Sequence, residues 1–343
     1  MMTYAVCSAC VGVPSPRKGE IMKAAIREAY GPPSVVHIAE RDLPEPGDGQ
    51  VRIRVKASSV NPYDWHMVRG EPSLLMRPQM GLHKPKDVRL GVDVAGIVDQ
   101  VGPGVSELTV GDEVFGSALG AYAEYAVTGL ADVAHKPASM SFEEAGAVGI
   151  AGYTAVQALR DWGGLVAGQT VLINGAAGGV GTFAVQIAKA MGAEVTGVCS
   201  ARNVDLVASL GADHVIDYGR EDYTRAVTKY DVVVDAVGNH RPRASLRALK
   251  PKGTLVMVGI ETGKRIKPLG LMLRTIVVGR LVSQQITPGL AKWSRDDLEY
   301  IAGLVESGEL RPVIDRTYPL AEAAAAIAHV EEGHARGKVV ITV

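Results

Sequence analysis

The run VLINGAAGGVGTFAVQIAKAMG, residues 171–192, narrows the choice of fold more than any other stretch of the chain. Gly175, Gly178 and Gly181 recur at every third position, with Gly179 beside them. TVLIN leads in as a short apolar strand, and TFAVQIAKAMG leads out as a helix that Gly192 ends. A strand, a glycine-rich turn and a helix in that order make a cradle for a pyrophosphate. The glycines allow a tight turn and bring backbone close to the phosphates. The helix N-terminus adds free N–H groups and a partial positive charge. Ala177, Gly178, Gly179, Val180 and Gly181 are therefore candidate cofactor contacts.

The same motif predicts an acid about 20 residues further on, where the second strand ends and the adenosine ribose hydroxyls would lie. That strand reads AEVTGV (193–198), but residues 199–203 are Cys-Ser-Ala-Arg-Asn, with no Asp or Glu. Ser200 can donate a hydrogen bond, and Arg202 and Asn203 supply a cation and an amide. An acid would repel a 2′-phosphate, whereas this set welcomes one. The cofactor expected is NADPH rather than NADH. Tyr218, closing the third strand HVIDY, is expected to reach the same phosphate. Asp205 falls a turn into the next helix, where an acid is ordinary dipole chemistry.

Around this motif the chain divides by texture. Residues 22–142 hold short alternating runs such as QVRIRVKASSV and GVDVAGIVDQVG, bounded by Gly, Pro and Asp, which read as a mostly antiparallel β domain. SFEEAGAVGIAGYTAVQALRDW reads as a helix, with Ser141 as N-cap and Glu144 completing a capping box. From 143 to 285 near-continuous Val/Ile/Leu strands alternate with helices, among them VDLVASLGA and RASLRALKPKG. That pattern is a doubly wound parallel sheet covered on both faces. RTIVVGRLV (274–282) is its last strand candidate, and 286–343 read helix, strand, helix, strand. Residues 1–21 carry no periodic pattern and are expected to be a disordered extension, with Met22 opening the ordered reading.

Bulk properties exclude several classes. The 343 residues are 47% hydrophobic and carry a formal net charge of −1, without a dense basic block, so nucleic acid is not an expected partner. No stretch approaches the apolar length of a membrane span. Cys7, Cys10 and Cys199 are too few and too scattered for a disulfide framework, and no second pair joins Cys7 and Cys10 at zinc spacing. A reducing, cytoplasmic setting follows.

Further stretches carry a resemblance: MKAAIREAYGPP, VNPYDWHMVRG (60–70), LGVDVAGIVDQVG (90–102), VGDEVFG (110–116), NGAAGGVG (174–181), LGADHVIDY (210–218) and the ending GKVVITV. Over residues 22–343 the chain resembles the medium-chain dehydrogenase/reductase superfamily, in its zinc-free quinone oxidoreductase, zeta-crystallin-like branch. The resemblance implies an α/β fold, a Rossmann doubly wound sheet plus a GroES-like β-rich catalytic domain. The superfamily's alcohol dehydrogenases hold zinc through a cysteine near position 61, a Gly-His-Glu near 91 and a later cysteine. Here those places read Asn61 and Gly91-Val92-Asp93, and no cysteine lies between Cys10 and Cys199. Without a Lewis acid, alcohol oxidation is hard, whereas quinones and conjugated carbonyls still accept hydride. The expected activity is zinc-independent hydride transfer from NADPH to a quinone or an α,β-unsaturated carbonyl compound. The alternatives are a metal-free NADP-dependent alcohol dehydrogenase and an NADPH-binding protein without turnover.

The resemblance also implies roles. Asn61 falls beside the nicotinamide and Thr154 near its amide. Val237, Gly238, Val258 and Gly259 fall where the cofactor crosses the sheet, and Lys338 falls near the phosphates. Tyr63 and His66 are both candidates to hydrogen-bond the acceptor oxygen, and His66 could deliver a proton near pH 7. The loop 74–89, with Met76, Met80 and Leu82, could line an apolar acceptor pocket. The apolar edge strand 274–282 implies a homodimer.

Overall fold

The computed structural model describes residues 19–71, 77–78, 80–258 and 283–343. The first eighteen residues, Met76, Gly259 and the strand expected over 274–282, with its implied dimer contact, lie outside the described residues. β1 (Ile21–Ile26) and β2 (His37–Asp42) form an antiparallel pair. In β3 (Gln50–Val60), Val51, Ile53, Val55 and Ala57 are all buried, the period-two face of a strand on a core. Pro62 then starts α1 (Pro62–Arg69), and Gly70, at φ 62°, ends it in the left-handed region. β4 (Asp93–Val101), β5 (Glu113–Ser117), β6 (Tyr125–Gly129) and β7 (Val133–His135) complete this part of the β domain.

The expected helix over 141–162 begins as read. Ser141 Oγ accepts the Glu144 N–H at 3.2 Å, and the Glu144 carboxylate accepts the Ser141 N–H at 3.0 Å. The structure then divides it into α2 (Phe142–Gly146), α3 (Gly149–Gln157) and a π turn over 158–162. The break has a cause. The Ile150 N–H, free at the start of α3, donates to Asp93 Oδ1 at 2.8 Å. A Cβ on Gly149 would stand 2.0 Å from that oxygen. The helix restarts where a buried carboxylate caps it.

β8 (Thr170–Asn174), α4 (Gly179–Ala190), β9 (Glu194–Cys199), α5 (Val204–Ser209), β10 (His214–Asp217), β11 (Tyr230–Asp235), α6 (Pro242–Ser245), β12 (Leu249–Met257) and β13 (Gln285–Pro288) follow. The six strands are all parallel, in the order β10-β9-β8-β11-β12-β13. In chain order this is 3-2-1-4-5-6, the doubly wound Rossmann sheet, with its topological switch between β8 and β11. Two expectations shift. The sheet runs through Pro288, past the boundary read at 285. RASLRALKPKG forms only the four-residue α6 and one 3-10 turn, because Leu249 already pairs with Tyr230 and Pro251 cannot continue a helix.

The chain returns through α7 (Arg295–Glu306), β14 (Ile314–Pro319), α8 (Ala323–Glu331) and β15 (Lys338–Thr342). The last two strands complete a seven-stranded sheet, β14-β15-β3-β4-β5-β7, with β6 also paired to β3. Leu298, Ile301 and Leu304 of α7 share one apolar cluster with Phe115 of the β domain and Ile173 and Val234 of the parallel sheet. That cluster joins the two domains. No helix among the described residues is long and apolar enough to cross a membrane.

Two helical glycines separate packing from propensity. A Cβ on Gly181 would lie 2.1 Å from the Gly175 carbonyl oxygen, a backbone atom, whereas one on Gly303 meets nothing within 4 Å. In urea denaturation Gly181→Ala is expected to cost about 1–3 kcal/mol through overpacking of α4 on the loop. Gly303→Ala is expected to add about 0.5–1 kcal/mol through helix propensity.

Candidate functional site: a nucleotide crevice against a buried lysine–aspartate pair

The glycine loop joins β8 to α4 at the switch point. Gly175 takes φ 85°, and Gly178 caps α4 with no side chain bonded to the helix end. Its first N–H groups therefore face the crevice for an anion to accept. The Ala177 carbonyl is already engaged, accepting the Gly337 N–H at 2.8 Å, and Gly178 bridges to Gly337. The residue before β15 thus docks on the phosphate cradle.

The corner after β9 holds the expected polar set. Ser200 follows the strand, and Asn203 Nδ2 donates to its Oγ at 3.2 Å. Arg202 is exposed, with Nη2 on the His334 carbonyl at 2.9 Å. The Tyr218 N–H donates to the Cys199 carbonyl at 3.0 Å, which sets Tyr218, 63% exposed, beside Ser200. One acid near this corner escaped the sequence reading. Asp217 pairs in register with Cys199, and its carboxylate is turned onto the Gly219 N–H at 3.0 Å and Arg220 at 3.5 Å. The Cys199 thiol is buried and pushed up to about 11 by that burial, so it packs as an apolar group.

Across the switch point, Asn174 Nδ2 donates to Asp235 Oδ1 at 2.8 Å and to Asn239 Oδ1 at 3.0 Å. The same Asp235 oxygen accepts the N–H groups of Val237 and Gly238 at 3.1 and 2.9 Å. This fixes the turn after β11 beside Gly175, with Val237 exposed over the loop. Val258 stands at the end of β12, its N–H on the Asp235 carbonyl at 3.0 Å. Val237, Gly238 and Val258 thus stand at the C-terminal ends of β11 and β12, beside the loop that follows β8.

The opposite wall is polar and sealed. Asp93, 0% exposed, accepts from Ser59 Oγ at 2.6 Å, Asn61 Nδ2 at 2.8 Å and the Ile150 N–H at 2.8 Å. Lys338, 2% exposed, places Nζ 2.6 Å from Asn61 Oδ1 and 3.2 Å from Asp93 Oδ2. The expectation that Lys338 contacts the phosphates needs correcting. Its stem passes Gly179, but its ammonium turns inward, because the buried Asp93 carboxylate needs a counter-charge. The Thr154 hydroxyl donates to the Ile150 carbonyl at 2.6 Å, leaving lone pairs to accept from an amide.

α1 carries the remaining candidates. The buried Asp64 carboxyl accepts the Asn61 N–H at 2.8 Å. Burial raises it from 3.8 to about 7, opposed by that hydrogen bond and reinforced by the charge of Asp93. Tyr63 is 40% exposed, and its hydroxyl is pushed above the ordinary phenol range, first by burial and then by Asp64. His66 stacks on Trp65 at 3.5 Å between ring centroids, and burial lowers it from its ordinary value. That burial works against the protonated form on which its expected role as a proton donor rests. Leu82 of the expected pocket loop faces solvent. Ser59, Gly149 and Tyr122 complete the sealed wall and carry no motif that marks them.

Two outcomes follow from this wall. Lys338→Met leaves the Asp93 charge buried without its cation and is expected to cost about 3–5 kcal/mol in denaturant titrations. Adding Asp93→Asn should recover much of that loss, so the double-mutant cycle reads the pair directly. Asp64 holds its proton more tightly when folded than when unfolded. Its contribution to stability is therefore complete below about 3.8 and lost as pH rises through about 7. The melting temperature of the wild type relative to Asp64→Asn should fall over that interval and level off above it.

Two family models match the chain. A model described as the alcohol dehydrogenase GroES-like domain covers residues 47–184, and one described as a zinc-binding dehydrogenase covers 210–341. NAD(P)H oxidoreductase RTN4IP1, mitochondrial, of Mus musculus is 35% identical, with 95% of this chain and 90% of that protein aligned. The quinone oxidoreductase of Pseudomonas aeruginosa is 35% identical over 91% of this chain and 97% of its own length. The solved quinone oxidoreductase of Coxiella burnetii superposes with a TM-score of 0.83 at 33% identity, over 94% of this chain and 100% of that one. A parallel Rossmann sheet joined to a GroES-like domain, a crevice for a nicotinamide nucleotide and these relatives agree: the chain is an oxidoreductase of the medium-chain dehydrogenase/reductase superfamily, among its quinone oxidoreductases.

Proposed function

We propose that this protein transfers hydride from NADPH to a quinone or an α,β-unsaturated carbonyl compound without a catalytic metal. The observation that carries the reading is the Lys338 ammonium lodged between Asn61 and Asp93. Asn61 and Asp93 stand where the superfamily's alcohol dehydrogenases supply zinc ligands. A divalent cation placed there would meet a fixed positive charge, and no group of three or more His, Cys, Asp or Glu gathers among the described residues. Electron-poor acceptors suit a site of this kind, because they need less polarisation than an alcohol needs deprotonation.

NADPH supplies the hydride, and the chain supplies position and charge. The uncapped end of α4 and the Ala177–Gly181 backbone hold the pyrophosphate. Ser200, Arg202, Asn203 and Tyr218 surround the 2′-phosphate, with Asp217 already turned to Gly219 and Arg220. Thr154 accepts from the carboxamide, and Asn61 presents a side chain whose two ends are both fixed, to Asp93 and to Lys338. Tyr63, protonated at neutral pH, donates to the acceptor oxygen, and solvent restores the proton. The proposal includes a homodimer in the cytoplasm, a reducing setting that three sparse cysteines favour.

The test is oxidation of NADPH and NADH with 9,10-phenanthrenequinone, simple enones and alcohols, alongside metal analysis of the purified protein. Turnover of quinones or enones by metal-free protein with NADPH preferred is the expected result. Turnover with alcohols alone would instead mean a metal-free alcohol dehydrogenase. Tight NADPH binding that no acceptor oxidises would mean a binding protein. Arg202→Ala should weaken NADPH about tenfold, the worth of one exposed charge-assisted contact, and NADH hardly at all. Equal weakening of both would remove Arg202 from phosphate recognition.

A further inference from the structure

Over Leu172, Val198, Val233 and Leu255 of the parallel sheet lies a thin layer built from two stretches, 221–229 and 240–248. Tyr223 of the first and Leu246 and Ala248 of the second are buried in one apolar cluster with those sheet residues. Polar contacts bind the stretches to each other. The Tyr223 hydroxyl and Ser245 Oγ lie 3.2 Å apart, and the Tyr223 ring meets His240 edge-on at 5.0 Å between centroids. The Lys229 ammonium donates to the Arg247 carbonyl. The two stretches are thus fixed side by side, with their inner faces spent on packing.

Their outer faces are basic. Arg225, Lys229, Arg241, Arg243 and Arg247 are all exposed, against the acids Glu221 and Asp222. Arg243 and Arg247, four apart, fall on one stripe. Asp222 is engaged, for it accepts the Thr224 N–H at 2.9 Å and lies 3.3 Å from Arg225. Among the described residues Arg241, Arg243 and Arg247 make no side-chain hydrogen bond or salt bridge. Val227 stands between Arg225 and Lys229 with 93% of its surface exposed, more than any other large apolar side chain described. The chain as a whole carries a formal charge of −1, so this face is a local excess of positive charge, drawn by the fold from two separate stretches.

We propose that this face docks the protein on an anionic lipid surface, with the free arginines on headgroup phosphates and Val227 at the boundary with the acyl chains. Guanidinium forks match phosphate oxygens, and a layer of negative headgroups attracts a cluster of cations more strongly than any one of them. The apolar side chain favours lipid over an acidic protein. Val227 stands clear of any groove, where a protein partner would leave it wet and a headgroup layer would bury it. The attraction decays within a Debye length, so the contact is reversible and sensitive to salt. The inference goes beyond the proposed reaction and holds whichever acceptor is reduced.

The test sediments the full-length protein with vesicles of phosphatidylcholine alone and of phosphatidylcholine and phosphatidylglycerol in equal parts, at about 0.05 M and about 0.5 M NaCl. Binding to the mixed vesicles at low salt, lost at high salt and absent with phosphatidylcholine alone, is the expected result. The double variant Arg243→Glu/Arg247→Glu should lower the partition coefficient by about tenfold or more. Val227→Ser should lower it about threefold and leave the salt dependence as it was. Both variants change only exposed side chains, so their melting temperatures and NADPH affinities should match the wild type. Wild type that binds neither vesicle, or a double variant that binds as wild type does, overturns the proposal. Poly-glutamate in place of vesicles distinguishes an acidic protein from lipid. Binding to it that depends on Arg243 and Arg247 but not on Val227, without binding to vesicles, would mean a protein partner and sink the lipid surface.

Discussion

One buried ion pair ties the molecule together. Asp93 at the start of β4 and Lys338 at the start of β15 meet at 3.2 Å with almost no exposure, and three further segments converge on them. Ser59 brings β3, Asn61 the entry to α1, and Ile150 the first turn of α3. Such a pair is seldom a net source of stability, since desolvation offsets most of the attraction. Its contribution is placement. Once Asp93 is ionised and buried, the lysine, the amide and the helix end each have one orientation that satisfies it.

The placement reaches the nucleotide as well. Gly337, next to Lys338, hands its N–H to the Ala177 carbonyl in the phosphate loop. Two consecutive residues of the returning chain thus touch both halves of the reaction site. Gly337 sets the distance to the pyrophosphate cradle, and Lys338 sets the amide of Asn61. Hydride transfer demands that donor and acceptor be held within a fraction of an ångström. A strand that ends the chain and crosses back to the first domain is a direct way to couple the two. The apolar cluster shared by Leu298, Phe115 and Ile173 stiffens the same junction.

Most of the fold was legible because its signals are local. The glycine spacing, the capping box of Ser141 and Glu144 and the alternation of β3 all work within a few residues. The glycine loop and the β9 corner were placed for the same reason, since they follow one another at a fixed interval. The break before Ile150 was not, because the carboxylate that accepts its N–H, Asp93, lies 57 positions away. The partner of Lys338 was hidden more deeply, 245 positions distant, so a lysine in a short closing strand read as a surface or phosphate-binding cation. The burial that lowers His66 was hidden too, because burial cannot be read from a helix of eight residues.

The electrostatics of the two walls are complementary. The nucleotide wall offers backbone N–H groups and an exposed arginine, a surface for anions that remain in contact with water. The inner wall keeps each carboxylate answered: Asp93 by an ammonium and N–H donors, Asp64 by an N–H donor and by a proton it keeps up to about 7. A site balanced in this way adds little negative charge to oppose electrons arriving on an acceptor. Among the described residues no group of three or more His, Cys, Asp or Glu gathers there. The ammonium delivers the positive charge that zinc would otherwise bring, but at a fixed distance and without a vacant coordination position. It holds the oxygen end of the Asn61 amide while Asp93 holds the nitrogen end. On the reading proposed above, a covalently tethered cation in place of a coordinating one favours acceptors that are already electron-poor over alcohols.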